Sequence, residues 1–178
     1  PRVPTNVAEQ IEAADPTLDA DLADWWADSC IRPRLRVLGP IKVRIGVGGS
    51  AQAATNRKPA CNNAVTYLST RPRGATTQEI ADALTITDDR VRQDMSIVRA
   101  WLGDNPRTGR EFLPGATKHP LAVERGVGLY LIEDLLCDAD LYKRLRLRGE
   151  ARGPDGINDL RTALRLVNGA PYDGLRTR

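Results

Sequence analysis

Apolar residues in the middle of this chain recur at helical spacing. In "DDRVRQDMSIVRAWLG", Asp88 to Gly103, residues Val91, Met95, Val98 and Leu102 step by four, three and four, so they form one stripe that must face a core. Just upstream, "TTQEIADAL" sets Thr76 three residues before Glu79, the residue types of a capping box, with Ile80 and Leu84 as the core face behind it. Before that, "PACNNAVTYLSTRPRG" puts Cys61, Val65 and Leu68 on one side of a helix closed by Pro72 and Gly74. Thr87 can cap the third helix, and the short joint "TIT" between the last two predicts a helix-turn-helix.

Elsewhere the period changes. "RLRVLGPIKVRIG" alternates apolar and basic residues on either side of Gly39-Pro40, a strand, turn, strand pattern. The following "VGGSAQAATNRK" is small and polar and is expected to be a flexible loop. Its glycines Gly46, Gly48 and Gly49 have neither the Lys-Ser/Thr nor the spacing of a phosphate-cradling loop, which argues against a nucleotide site. After the third helix, "GDNPRTGR" is expected as a basic loop, "EFLP" as a strand, "GATKHPLAVERG" as a second loop and "VGLYLIED" as an apolar strand. Such a hairpin directly behind a helix-turn-helix is a wing.

The two ends are helical. "DADLYKRLRLRGEARG" and "GPDGINDLRTALRLVNG" predict two helices, the second with a stripe of Ile157, Leu160, Leu164 and Val167 and a stop at Asn168-Gly169. An apolar face with nothing to cover it implies stacked repeats continuing beyond Arg178. The first thirty residues, rich in Pro, Asp and Ala, predict a linker that turns helical around "TLDADLADWWADS". There Leu18, Leu22 and Trp25 or Trp26 make a short apolar face expected to pack on the neighbouring domain.

The expected architecture is therefore α+β. Residues 1–33 form an acidic linker with a short helix, 34–135 a winged helix-turn-helix domain, and 136–178 the start of a helical domain. Composition agrees with a globular chain, at 41% hydrophobic and 28% charged, and no apolar run approaches the roughly eighteen residues of a membrane span. The opening "PRVPTNVAEQ" lacks an initiator Met and the basic-then-apolar layout of a signal peptide, so the chain reads as a piece of something longer. Three scattered cysteines, Cys30, Cys61 and Cys137, without ligand-spaced histidines, read as reduced thiols of a cytoplasmic protein and argue against zinc.

Charge adds an asymmetry. Seven acids stand against Arg2 in residues 1–30, which leaves the remainder at +9. Such a field favours an acidic partner such as nucleic acid, and it also fits a simply solvated basic face.

At 100° per residue, the face of the third helix opposite its stripe is centred on Gln93, Ser96, Ile97 and Ala100. Arg92 and Arg99 flank it on one side and Arg90 on the other. Gln93 can pair with an adenine edge, Arg92 or Arg99 can take guanine or phosphate, and Ser96 can bind either. Thr76 and Thr77 stand where backbone amides would meet a phosphate. Arg107, Arg110, Lys118 and Arg125 in and around the wing, with Arg71 and Arg73 before the second helix, fit salt-dependent phosphate contact. Against a strong reader stand Ile97, Ala100 and Asp94, the last placed to repel phosphate. Trp101 is expected as a hydrophobic contact and His119 as exposed and incidental.

Several phrases together resemble a family. "RLRVLGPIKVR", "LSTRPRGATTQEIADAL", "VRQDMSIVRAWLG", "GVGLYLIEDLLCDADLYKRL" and "LRTALRLVNGAPYDGL" resemble the response-regulator-type winged helix and TPR-like bacterial transcriptional activator domain of actinobacterial regulators, including the antibiotic regulatory proteins. "DADLADWWADS", "RGEARGPDG" and again "LRTALRLVNGAPYDGL" are similar to large actinobacterial membrane proteins that carry the same domain pair, often with a LysM module. The resemblance implies a third helix in the major groove, a wing on the neighbouring backbone, and a helical domain for dimerisation or contact with transcription machinery. It also allows a membrane-anchored protein with this region on the cytoplasmic side.

Carboxylates cluster at helix starts, Asp88-Asp89, Asp138 with Asp140, and Asp155, where capping and dipole effects account for them. One histidine and scattered thiols do not assemble a catalytic constellation, so no enzyme, metal or cofactor is expected. Two functions remain open. One is a regulator that binds double-stranded DNA and uses its helical module for a protein partner or self-association. The other is a winged-helix interaction or structural module that does not bind DNA, inside a larger membrane-associated protein.

Overall fold

The computed structural model describes residues 5–174, so the opening "PRVP" of the expected linker and Leu175 of the last resemblance phrase lie outside it. In chain order the helices are α1 (Thr5–Ala14), α2 (Leu18–Trp26), α3 (Lys58–Ser69), α4 (Thr77–Leu84), α5 (Asp88–Leu102), α6 (Pro120–Arg125), α7 (Asp138–Arg152) and α8 (Ile157–Leu166). The strands are short: β1 (Arg34–Arg36), β2 (Lys42–Arg44), β3 (Asp104–Asn105), β4 (Arg110–Glu111) and β5 (Leu136–Cys137). The class is α+β, mostly helical with small sheets.

Two compact units divide the chain. Among the described residues the first takes 5–28, Arg36–Ile41 and 136–174, and the second takes Ser29–Leu35 and Lys42–Leu135.

In the first unit α7 is the hub, with α1, α2 and α8 packed on it. Leu141 and Leu145 of α7 are fully buried, as is Leu18 of α2, and Trp25, Ala163 and Leu166 join them. Helices α7 and α8 meet closely: a Cβ on Gly156 would lie 2.0 Å from the Gly149 carbonyl oxygen, so no side chain fits there. Where a linker was expected, Thr5–Ala14 is helical. Arginines of α7 hold α1, α2, the turn between them and α8 by charge pairs that spacing along one element cannot reveal. Arg144 meets Asp15 and Asp21, Arg148 meets Asp19 and Asp159, and Arg152 meets Glu12 and Asp159. At the start of α7, Asp138 is fully buried and accepts the backbone N–H groups of Val37 and Leu38 at 2.8 and 3.0 Å. The C-terminal segment follows the same stretch, with Asn168 N–H donating to Leu38 O and Tyr172 N–H to Val37 O.

The second unit is built on α3, α4 and α5, which pack on one another. Thr76 and Glu79 form the capping box of α4, and the Thr87 hydroxyl accepts the Arg90 N–H to cap α5. Between them Thr85 closes α4 in the left-handed conformation, φ 55°. The predicted stripe of Val91, Met95, Val98 and Leu102 is buried throughout, and so is Trp101.

Four local expectations are corrected. The "VGGSAQAATNRK" segment is packed rather than flexible: Ala51–Ala54 is a 3₁₀ turn, Ala54 is buried, and Ser50 N–H donates to Trp101 O. Its glycines serve close packing, since a Cβ on Gly49 would lie 2.6 Å from the Trp101 carbonyl oxygen. "GDNPRTGR" is itself the hairpin, with Asp104 opposite Glu111 and Asn105 opposite Arg110, while Phe112 and Leu113 drop into the core beyond it. The loop "GATKHPLAVERG" contains α6. "VGLYLIED" is not a strand: Tyr130 makes one bridge to Ala75, Leu129 N–H donates to Ala116 O and Glu133 N–H to Phe112 O. Its backbone partners are scattered over separate segments, so no continuous ladder forms. Among the described residues no helix is long and apolar enough to cross a membrane.

Candidate nucleic-acid interface

The outward face of α5 is where the sequence put it. Gln93, Ser96 and Ala100 are exposed and Ile97 is half-buried. The arginines around it are engaged within the unit. Arg92 is 58% exposed, yet its guanidinium lies 2.7 Å from Asp89 and 4.0 Å from Asp88. Arg90 Nε donates to Asp94 at 3.0 Å, and Arg57 reaches the other oxygen of the same carboxylate at 3.2 Å. Asp94 is buried, which corrects the expectation that it faces a phosphate: it is the anchor on which α5 receives Arg57. Arg99 Nε donates to the Leu113 carbonyl at 2.9 Å and lies 3.4 Å from Glu111, so it ties α5 to the segment after the hairpin. Neither Arg57 nor this use of Arg99 follows from helical periodicity, because the partners come from other elements.

The cations flanking α4 are arranged differently. Arg71, Arg73 and Arg125 line one open cleft of about 460 Å³ together with Thr70, Thr76, Glu79 and Leu129. All three arginines are exposed. The Arg71 guanidinium stacks 4.9 Å from the centre of the Tyr67 ring, which stiffens its stem, and Arg125 Nη1 donates to the Arg73 carbonyl at 3.3 Å. At the helix start, Thr76 N–H donates to the Glu79 carboxylate at 2.7 Å and Glu79 N–H donates to Thr76 Oγ at 3.2 Å. The backbone bond to the carboxylate, and after it one from the Thr76 hydroxyl at 3.0 Å, hold the Glu79 carboxyl below its ordinary range. A carboxylate thus occupies the α4 terminus that Thr76 and Thr77 were expected to offer to a phosphate. The cations that line this cleft are the three guanidinium groups.

Arg107 and Arg110 sit at the exposed hairpin, where Arg107 N–H donates to Asn105 Oδ1 and Arg110 N–H to Thr108 Oγ. Lys118 is exposed in the turn before α6. His119 is not incidental. It is buried, its Nδ1 accepts the Leu121 N–H at 3.1 Å to cap α6, and its Nε2 lies 3.3 Å from Glu133.

The second unit holds fifteen Lys and Arg against ten Asp and Glu, so it stays basic without the arginine-rich α7. Among the described residues no group of three His, Cys, Asp or Glu is placed to hold a metal ion. The Cys61 thiol is buried and pushed up to about 11 by desolvation, then by Asp94, so it is a protonated core group at neutral pH. No family model matches the chain, and neither a curated protein nor a solved structure matches it.

Proposed function

We propose that the second unit is a winged helix-turn-helix that holds duplex DNA mainly by its phosphates, with shallow choice of sequence. The observation that carries this reading is the cleft beside α4, where Arg71, Arg73 and Arg125 converge next to a capped two-helix turn. In this reading the 104–111 hairpin is the wing and Arg107, Arg110 and Lys118 add backbone contacts, while Gln93 and Ser96 of α5 meet base edges. Arg90, Arg92 and Arg99 contribute less than their position suggests, because carboxylates or carbonyls already hold them. The reading assigns no catalytic step, metal or cofactor, and it implies a cytoplasmic setting in which the TPR-like first unit serves protein contacts.

The same ion pairs favour a second reading. A winged-helix scaffold that meets proteins instead of DNA has no need of free arginines on α5, and Asp88 and Asp89 at its N-terminus oppose phosphate there. Fluorescence anisotropy with random duplex DNA across a salt series separates the two. Saturable binding that weakens steeply with salt, and that Arg71→Ala/Arg73→Ala reduces, supports the first reading. No binding at low salt overturns it.

A further inference from the structure

The outward face of α8 has two chemically distinct halves. At 100° per residue, Ile157, Leu160, Leu164 and Val167 fall within an arc of about 80°, and Arg161 and Arg165 occupy the adjoining arc. Ile157 is 50% exposed, Leu164 65% and Val167 43%, whereas Asp159, Ala163 and Leu166 are buried. Arg148 and Arg152 take up the charge of Asp159. The charges that α8 turns outward are therefore both cationic. Trp26 stands at the edge of this face, 45% exposed, with the Arg165 guanidinium 5.2 Å from its ring centre.

We propose that this face seats an amphipathic helix of a partner protein, with apolar residues along one stripe and Asp or Glu along the side that meets Arg161 and Arg165. Ile157, Leu164 and Val167 give three open apolar side chains in one row, a stripe that the apolar face of a partner helix can cover. Charge selects the occupant. A second copy of α8 would bring arginine against arginine beside the stripe, which disfavours self-pairing. An acidic helix meets both halves, and the unit already uses that chemistry: acids of α1, α2 and the turn between them meet Arg144, Arg148 and Arg152 along α7. The inference is independent of DNA binding, since it concerns the first unit alone.

The test is a titration of the whole chain with two synthetic helical peptides of about 18 residues, sharing one leucine stripe and flanked by Glu in one and Lys in the other. Trp26 emission is the readout, because Trp25 and Trp101 are buried. Saturable binding of the Glu peptide, at least about tenfold tighter than the Lys peptide, is expected. Leu164→Glu should weaken it about tenfold or more, and Arg161→Ala should narrow the gap between the peptides, with circular dichroism unchanged because both side chains are exposed. Equal binding of the two peptides, no saturable binding by the Glu peptide, or indifference to Leu164→Glu overturns the proposal. So does a concentration-dependent dimer in sedimentation that Leu164→Glu abolishes, which would make a second copy the occupant.

Discussion

Arg144 and Asp15, 129 residues apart, meet in two parallel hydrogen bonds, Nε to Oδ2 at 2.8 Å and Nη2 to Oδ1 at 2.7 Å. The same guanidinium reaches Thr17 Oγ at 2.9 Å and Asp21 at 2.7 Å, so one planar fork fastens the turn between α1 and α2 to α7.

Arg144→Ala should cost the chain about 1–3 kcal/mol, a range discounted from a fully buried pair because the side chain keeps 21% exposure. Arg144→Lys should recover only part, since an ammonium keeps the charge and loses the fork. The hydrogen bond from Arg144 is the chief reason that the Asp15 carboxyl lies below its ordinary range. A lowered carboxylate contributes stability that is present above its unfolded value, about 3.9, and lost as pH falls through the folded value. Urea unfolding from pH 2 to 7 should therefore show wild type and Arg144→Ala converging in acid. A constant gap at all pH values would assign the effect to packing alone.

Asp138 titrates in the opposite direction. Burial is the first cause that pushes its carboxyl up, outweighing the amides of Val37 and Leu38 that favour its ionised form. For a carboxyl raised on folding, stability falls as pH climbs from the unfolded value through the folded one. Removing that loss while keeping one acceptor, Asp138→Asn should flatten the decline expected above about pH 4. Asp138→Ala instead leaves two amide donors without their acceptor and should cost about 2–5 kcal/mol. Equal stability of the Ala and Asn variants would show that the two amides find other partners.

What the sequence makes legible here is local. The capping box of Thr76 and Glu79, the Thr87 cap and the buried stripe of α5 each depend on residues within a few turns of one helix, and all are in place. Partners that are distant in sequence are not encoded in any period. Arg99 has the position of a phosphate ligand because it flanks the outward face of α5, yet its shortest bond is to the Leu113 carbonyl. Asp94 has the position of an obstacle to DNA, and its burial between Arg57 and Arg90 emerges only once α3 and α5 are packed. The "VGLYLIED" segment has strand-like residues, but a strand needs a continuous neighbour, and Ala75, Ala116 and Phe112 offer isolated bonds. The convergence of Arg71, Arg73 and Arg125 on one cleft is equally out of reach of periodicity, although each is nameable as a basic residue beside a loop or helix end.

If the cleft beside α4 grips phosphates, Arg71→Ala/Arg73→Ala should lower affinity for random duplex DNA about tenfold or more at low salt. It should also reduce the slope of log affinity against log salt by roughly two, one for each phosphate that the variant no longer neutralises. Gln93→Ala should leave binding to random DNA nearly unchanged, because base-edge contacts contribute choice rather than bulk affinity. An unaltered slope in the arginine variant would move the phosphate-binding cations elsewhere in the second unit.

Burial of His119 places both of its ring nitrogens under constraint. Nδ1 accepts the Leu121 N–H, so the ring proton sits on Nε2 toward Glu133. His119→Ala removes the cap of α6 and should cost about 1 kcal/mol. His119→Asn offers an oxygen near the place of Nδ1 and should restore most of the cap while leaving Glu133 without its partner. Hydrogen exchange at the Leu121 amide distinguishes capping from simple packing. It should quicken in the Ala variant and stay close to wild type in the Asn variant, whereas packing as the main role predicts that both variants exchange faster alike. Because α6 carries Arg125, whose guanidinium donates to the Arg73 carbonyl, uncapping the helix should also loosen the cleft. The Ala variant should therefore bind DNA more weakly than the Asn variant, although neither substitution removes a cation.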